Sequence, residues 1–204
     1  MQGARQLGLV GPASDPTLDL LLPTFTALPI RPLTDEEELL CRLHASGSPT
    51  TTRRGAAWAL GQATAVAGEQ HQARIDDIDL ARGQVRLRGN GNRDARIGRL
   101  TAWGVEQLGL HIEMLRSRGC GGDAFLIKGQ GTTDRSGQAQ SCNAVREVLD
   151  LAGLASESDV KPMSLPNWAG RRIFDRTGRI EEAAKALGFR KLDWAARAIG
   201  WEWR

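Results

Sequence analysis

The sequence predicts a mainly helical domain carrying one small antiparallel β-hairpin or sheet near its middle. Three observations support this. Apolar residues recur at three- and four-residue spacing in successive segments, the mark of helices with one buried face. Strict alternation occurs once, where Val85 and Leu87 interleave with Arg86 and Arg88. The sharpest turn signal, Gly89-Asn90-Gly91-Asn92, follows at once and sends Ala95 to Ile97 back as the partner strand.

The elements follow in order. Residues 1–33 hold five of the eight prolines, so no helix of useful length fits, and they read as a Pro-rich arm or linker. The domain proper runs from 34 to 204. Thr34 precedes Asp35, Glu36 and Glu37 as an N-cap with acids in the first turn, and Leu39, Leu40 and Leu43 supply the expected buried stripe. A second helix spans about 52 to 68 with Trp58, Ala59, Leu60 and Ala63 inward. Asp76, Asp77 and Asp79 read as capping groups ahead of the hairpin. Val105, Leu108, Ile112 and Leu115 mark a helix that ends at Gly119 to Gly122. Ala124 to Ile127 is a short strand candidate, and Gly129 to Gly137 a polar loop. Ser141 caps a helix with Cys142 as a small buried residue, continued by Val145, Val148, Leu149 and Ala152. Asn167 to Asp175, then Ile180 to Leu187 closed by Gly188, then Leu192 to Ile199 complete the chain. Trp58, Trp103, Trp168 and Trp194 are expected to fill core positions.

Composition narrows the function. Hydrophobic residues at 41% and charged residues at 25% are globular usage, which excludes disordered and fibrous classes. No apolar run approaches the roughly 20 residues that span a bilayer. Three scattered cysteines fit a reducing compartment, and no signal-peptide pattern opens the chain, so the reading is cytoplasmic, nucleoid-associated if DNA-bound. No cofactor is implied. His71, His111 and Cys120 lack metal-ligand spacing, so no metal site is expected. All but four of the 27 basic residues are arginine, whose planar fork suits phosphate. Residues 161–204 carry ten basic against five acidic groups, whereas residues 1–50 carry three against six. A basic tail half points to a polyanion partner.

The order Thr34-Asp35-Glu36-Glu37, Glu69 eight residues before Asp77-Ile78-Asp79-Leu80, the Gly89-Asn90-Gly91-Asn92-Arg93 tip, Thr177-Gly178-Arg179-Ile180 and Ala186-Leu187-Gly188 resembles the catalytic domain of tyrosine recombinases, the phage-integrase-like enzymes. The resemblance covers residues 34 to 204. It implies two arginines, a lysine, a histidine, a further His or Trp, and a tyrosine nucleophile around a scissile phosphate. Charge stabilisation of that kind is the main route for phosphoryl transfer. At the matching places this chain has Val66 or Ala67 for the first arginine and Asn90 for the lysine. The His-x-x-Arg box falls on Ser164 to Asn167, Phe189 follows Gly188 in place of histidine, and Ala198 stands for the tyrosine. The chain contains no tyrosine at all. The resemblance therefore implies the fold with every catalytic role vacant, a pseudoenzyme. Family members also carry an upstream core-binding domain that closes round DNA; about 33 Pro-rich residues are too few for one, so a half-clamp is expected.

Two function classes follow. The first is a non-cleaving DNA-binding protein linked to integration or recombination, contacting double-stranded DNA through Arg88, Arg93, Arg96, Arg171, Arg172, Arg190 and Lys191 along one backbone. The second is a protein-interaction module that pairs through its C-terminus with a second copy or an active recombinase. Trp201 and Trp203 are the expected interaction residues, packing over the vacant groove in cis or on another protomer.

Overall fold

The computed structural model describes residues 29–46, 52–129 and 131–201. Eight helices and three short strands occur among them: α1 (Asp35–Ala45), α2 (Thr52–Gln62), α3 (Ala67–Gln70), β1 (Ile78–Asp79), β2 (Gln84–Leu87), β3 (Arg96–Arg99), α4 (Ala102–Ser117), α5 (Asp134–Leu151), α6 (Ser164–Thr177), α7 (Ile180–Leu187) and α8 (Leu192–Ala198). The strands form one antiparallel sheet in the order β1-β2-β3, with Ile78 opposite Val85 and Leu87 opposite Arg96. The expected hairpin is therefore widened by a two-residue edge strand. No described helix is long and apolar enough to cross a membrane.

The central element is α2, buried on every side from Gly55 to Gln62. Around it α1, α4, α5 and the first half of α6 build the main core, with Trp58, Leu60, Leu108, Leu149 and Leu165 at its heart. A smaller cluster joins α7 and α8 through Ile180, Leu187, Ala195 and Ile199, with Phe174 from the far half of α6 packed against it. Helix α6 thus links the two clusters. Pro166 sits in its first turn, where a missing N–H costs no helical bond.

Helix α1 begins as expected. Thr34 accepts from the Glu37 amide and Glu37 accepts from the Thr34 amide, a capping box. Its buried face is a correction to the sequence reading. Leu39, Leu40 and Leu43 are 55%, 40% and 67% exposed, while Glu38, Cys41 and Ala45 turn inward. Glu38 is tolerated because it accepts from Trp58 Nε1 at 3.2 Å, Arg42 Nε at 3.0 Å and Gln62 Nε2. Burial pushes the Cys41 thiol up to about 12, chiefly by desolvation, so it is inert at neutral pH. Ahead of α1, Leu33 is buried, and Arg31 forks between Glu37, Glu157 and Asp159.

Further expectations change. The helix expected over about 52 to 68 ends at Gln62, because Thr64 turns the chain with φ 73° before α3 begins at Ala67, and Cys142 is half-buried rather than buried. Ala124 to Ile127 forms no strand; Phe125 makes only a single bridge to Arg74. Helix α5 starts at Asp134 on a Thr133 cap, so Ser141 lies buried in mid-helix rather than at its start. Gly137, in its first turn, leaves room for the Lys128 side chain, whose Cδ would lie 2.6 Å from a Cβ there. Trp194 is 43% exposed instead of filling the core, standing edge-on to Phe189 with ring centroids 6.3 Å apart.

His111 ties α4 to its neighbours. Its Nε2–H donates to the Leu126 carbonyl at 2.7 Å, and its Nδ1 accepts from the Thr52 hydroxyl at 2.8 Å, which fixes the neutral tautomer. Burial, opposed by the Leu126 carbonyl and aided by the charges of Arg53 and Arg118, holds its pKa below the ordinary histidine value. A depressed folded-state pKa means that the unfolded chain takes up the proton first. Stability is fully present above about pH 6.5, the unfolded value, and is lost as pH falls below it. The urea midpoint is expected to fall between pH 7.5 and 5.5, and His111→Gln is expected to flatten that slope; equal slopes would remove His111 from the balance.

Candidate nucleic-acid interface

The residues at the family positions gather around the tip of the β2–β3 hairpin. Gly68, at the start of α3, lies against Asn90, whose Nδ2 would sit 3.4 Å from a Cβ there. Val66 and Ala67 open that same helix, and Glu69 accepts from the Val66 amide at 3.1 Å. On the other side the Asp94 amide donates to the Gly188 carbonyl at 2.9 Å, which brings Phe189 under the tip. Ser164 and Asn167 lie buried on the first turn of α6 beside Met163. Ala198 stands apart, in the small cluster of α7 and α8.

Arg93 crosses this space. Its guanidinium lies 4.2 Å from the centre of the Phe189 ring, donates to the Leu187 carbonyl and reaches the Met163 sulfur at 3.7 Å. It is only 6% exposed and has no carboxylate partner among the described residues. Desolvation pulls its pKa down to about 10, with the charge of Glu69 opposing, so it stays cationic at neutral pH. Arg96 enters from the next turn of chain. Its Nη1 and Nη2 grip Glu69 at 2.6 and 2.9 Å, Nη2 reaches the Thr64 carbonyl at 2.8 Å and Nε the Ala186 carbonyl at 2.7 Å. Both arginines thus cap the last carbonyls of α7, where the helix dipole is negative. Gly188 closes that helix with φ +75°, and its lack of a Cβ leaves room for the Arg96 guanidinium. Thr64, which no sequence signal marked, takes φ 73° at the turn into α3 and donates its hydroxyl to the Ala186 carbonyl.

The seven cations expected along one backbone fall into three groups. Arg88 shares buried Asp77 with Arg86, with both guanidinium heads half exposed. Arg93 and Arg96 point inward at the tip. Beside them Arg190 pairs with Asp94 at 2.6 Å, holding that carboxylate below its usual range, and Lys191 places its ammonium 5.2 Å from the Trp194 ring. Arg171 pairs with Asp175 and reaches the Ile199 carbonyl, while Arg172 pairs with Asp35 at 3.1 Å; these two serve α1 and the tail rather than the hairpin. One continuous exposed row of all seven is not formed.

Trp201 packs in cis on Phe174, centroids 5.4 Å apart. Phe174 lies ten residues along α6 from Ser164, roughly 15 Å at 1.5 Å per residue. Trp201 therefore seats on the far half of that helix. Trp203 lies outside the described residues.

No protein-family model matches the chain, and no curated protein does. Solved structures do resemble it. XerA recombinase superposes with a TM-score of 0.68 at 19% identity, over 84% of this chain and 60% of its own. XerH recombinase bound to palindromic difH substrate gives 0.66 at 19%, over 85% of this chain and 49% of its own. A lambda integrase (75–356) dimer bound to a COC′ core site gives 0.59 at 17%, over 86% and 62%. The chain spans about half to three-fifths of the length of these proteins. With the helices, the three-stranded sheet and the hairpin tip placed as described, the chain has the fold of tyrosine-recombinase catalytic domains.

Proposed function

We propose that the chain is a recombinase-fold protein that holds double-stranded DNA without cutting it. The observation that carries this reading is the filling of the family's catalytic positions. Val66, Asn90, Pro166 and Phe189 cannot neutralise a phosphate or relay a proton, Ala198 cannot attack phosphorus, and no tyrosine exists to replace it. Arg93 lies across the space between Met163 and Phe189, engaged with α7. DNA contact then falls to the outward cations near the tip, Arg190, Lys191 and Arg88, which position a duplex through phosphate rather than read its bases. The recombinases of like fold in complex with DNA support the choice of partner.

The test is fluorescence anisotropy with a 20-base-pair duplex across a salt series. Affinity is expected to fall linearly in log–log form, by a slope of about 0.9 per phosphate contact. The double variant Arg190→Ala/Lys191→Ala is expected to weaken binding alike for unrelated sequences and lower the slope by about two. Arg172→Ala, which faces α1, is the control expected to change neither. Unaltered affinity and slope in the double variant would remove the tip from the interface.

A protein-interaction role has one observation in its favour. The outward leucines of α1, Leu39, Leu40 and Leu43, form an exposed apolar face of the kind that partners cover. Sedimentation of the intact protein separates the readings, since this role predicts concentration-dependent association insensitive to salt.

A further inference from the structure

A cavity of about 460 Å³ opens between the start of α2, the end of α4 and the middle of α5. Arg53 and Arg54 line it from α2, Arg118 from the end of α4, and Lys128 from the segment before α5. Glu147 is the carboxylate among the lining residues, and Asp134, ion-paired to Lys128, lies outside the lining. Cations therefore outnumber acids there even after that pair is counted. His111 lies buried among the lining residues, and the charges of Arg53 and Arg118 at the rim help to lower its pKa. That floor is fixed: His111 is locked between Thr52 and Leu126, and the Lys128 ammonium rests 4.4 Å from the Phe125 ring centre. Met114, Leu115 and Leu126 supply apolar wall beside the cations. A concave site of this volume with apolar walls and a few charges in its lining fits a small ligand rather than a duplex.

We infer that this cavity binds a phosphate-bearing ligand of mononucleotide size, its phosphate held by Arg53, Arg118 and Lys128 and its apolar part against Met114 and Leu115. Arginine and lysine offer the donors that phosphate oxygens accept, and the half-enclosed setting strengthens each contact. The site is separate from the hairpin tip. Gln140 lines the cavity, whereas Gln138 approaches Gly68 beside the tip. Two residues on a helix turn by about 200°, so the two sites occupy different sides of α5. The inference does not depend on DNA binding at the tip.

Thermal unfolding of the full chain tests it, with AMP as the probe and inorganic phosphate, adenosine, and sodium chloride at matched ionic strength beside it. AMP at about ten times its dissociation constant is expected to raise the melting temperature on the order of 3–6 °C. Inorganic phosphate is expected to give a smaller rise, and adenosine or chloride none. Arg53→Gln/Arg118→Gln alters two exposed rim residues and is expected to abolish the AMP shift while melting near the parent without ligand; Arg118→Gln alone serves if the pair is unstable. No AMP shift beyond chloride, or an undiminished shift in the rim variants, would overturn the site. Repeating the AMP arm with saturating duplex identifies the source of phosphate: a persisting shift assigns the cavity to free nucleotide, and a lost one to nucleic-acid backbone.

Discussion

Arg96→Ala is expected to destabilise the fold by about 3–5 kcal/mol, the cost of leaving a buried charge without its partner. Glu69 is fully enclosed and its two oxygens face the Arg96 guanidinium, whose side chain is itself 7% exposed. Removing the arginine strands that carboxylate, frees the Thr64 carbonyl and leaves the Ala186 carbonyl with the Thr64 hydroxyl as its side-chain donor. At about 2–4 °C per kcal/mol for a domain of this size, the melting temperature should drop on the order of 10 °C. The paired replacement Glu69→Gln/Arg96→Met should recover much of that loss, because it removes both charges together. A well-folded Arg96→Ala protein that melts with the parent would show that the hairpin tip is not anchored through this pair.

The second large effect belongs to Glu38. Alanine there leaves Trp58 Nε1 and Gln62 Nε2 without their acceptor inside the core and releases Arg42, for a cost of about 3 kcal/mol. Leu43→Ala on the outward face of the same helix should change stability by no more than about 0.5 kcal/mol. Urea denaturation of the two variants decides between the faces of α1. A larger loss at Leu43 than at Glu38 would mean that the helix packs through its leucines.

That contrast marks where sequence ceases to speak for structure. The start of α1 was legible, because a Thr-x-x-Glu box satisfies helix-end donors locally and needs no tertiary context. Its inward face was not, because three leucines outweigh one glutamate in any hydrophobicity count. Only Trp58 and Gln62, twenty and more residues on, make burial of Glu38 the better arrangement. The hairpin was legible from alternation and Gly-Asn-Gly-Asn, while its third strand, two residues long, gives no periodicity to detect. The start of α5 was hidden by the glycines before it, although Thr133 and Asp134 form an ordinary helix beginning.

The candidate site divides in the same way. Positions 66, 90, 167 and 189 were placed near one another by motif order, and the fold gathers them about the hairpin tip. The directions of Arg93 and Arg96 were not foreseeable, because each ends on a helix terminus some ninety residues later in the chain. Arginines beside a glycine-rich turn read as exposed phosphate ligands. Here the nearer negative potential, the carbonyl end of α7 with Glu69 beneath, draws them inward.

Incubation with a nicked suicide duplex, run in parallel on native and on SDS-denaturing gels, tests the central claim most directly. The expected result is a salt-sensitive shifted band in the native gel and wholly free, full-length DNA after SDS, since Ala198 stands in the nucleophile's place and the chain has no tyrosine. A complex that survives SDS, or no native shift at low salt, would contradict a recombinase fold that holds DNA without cutting it.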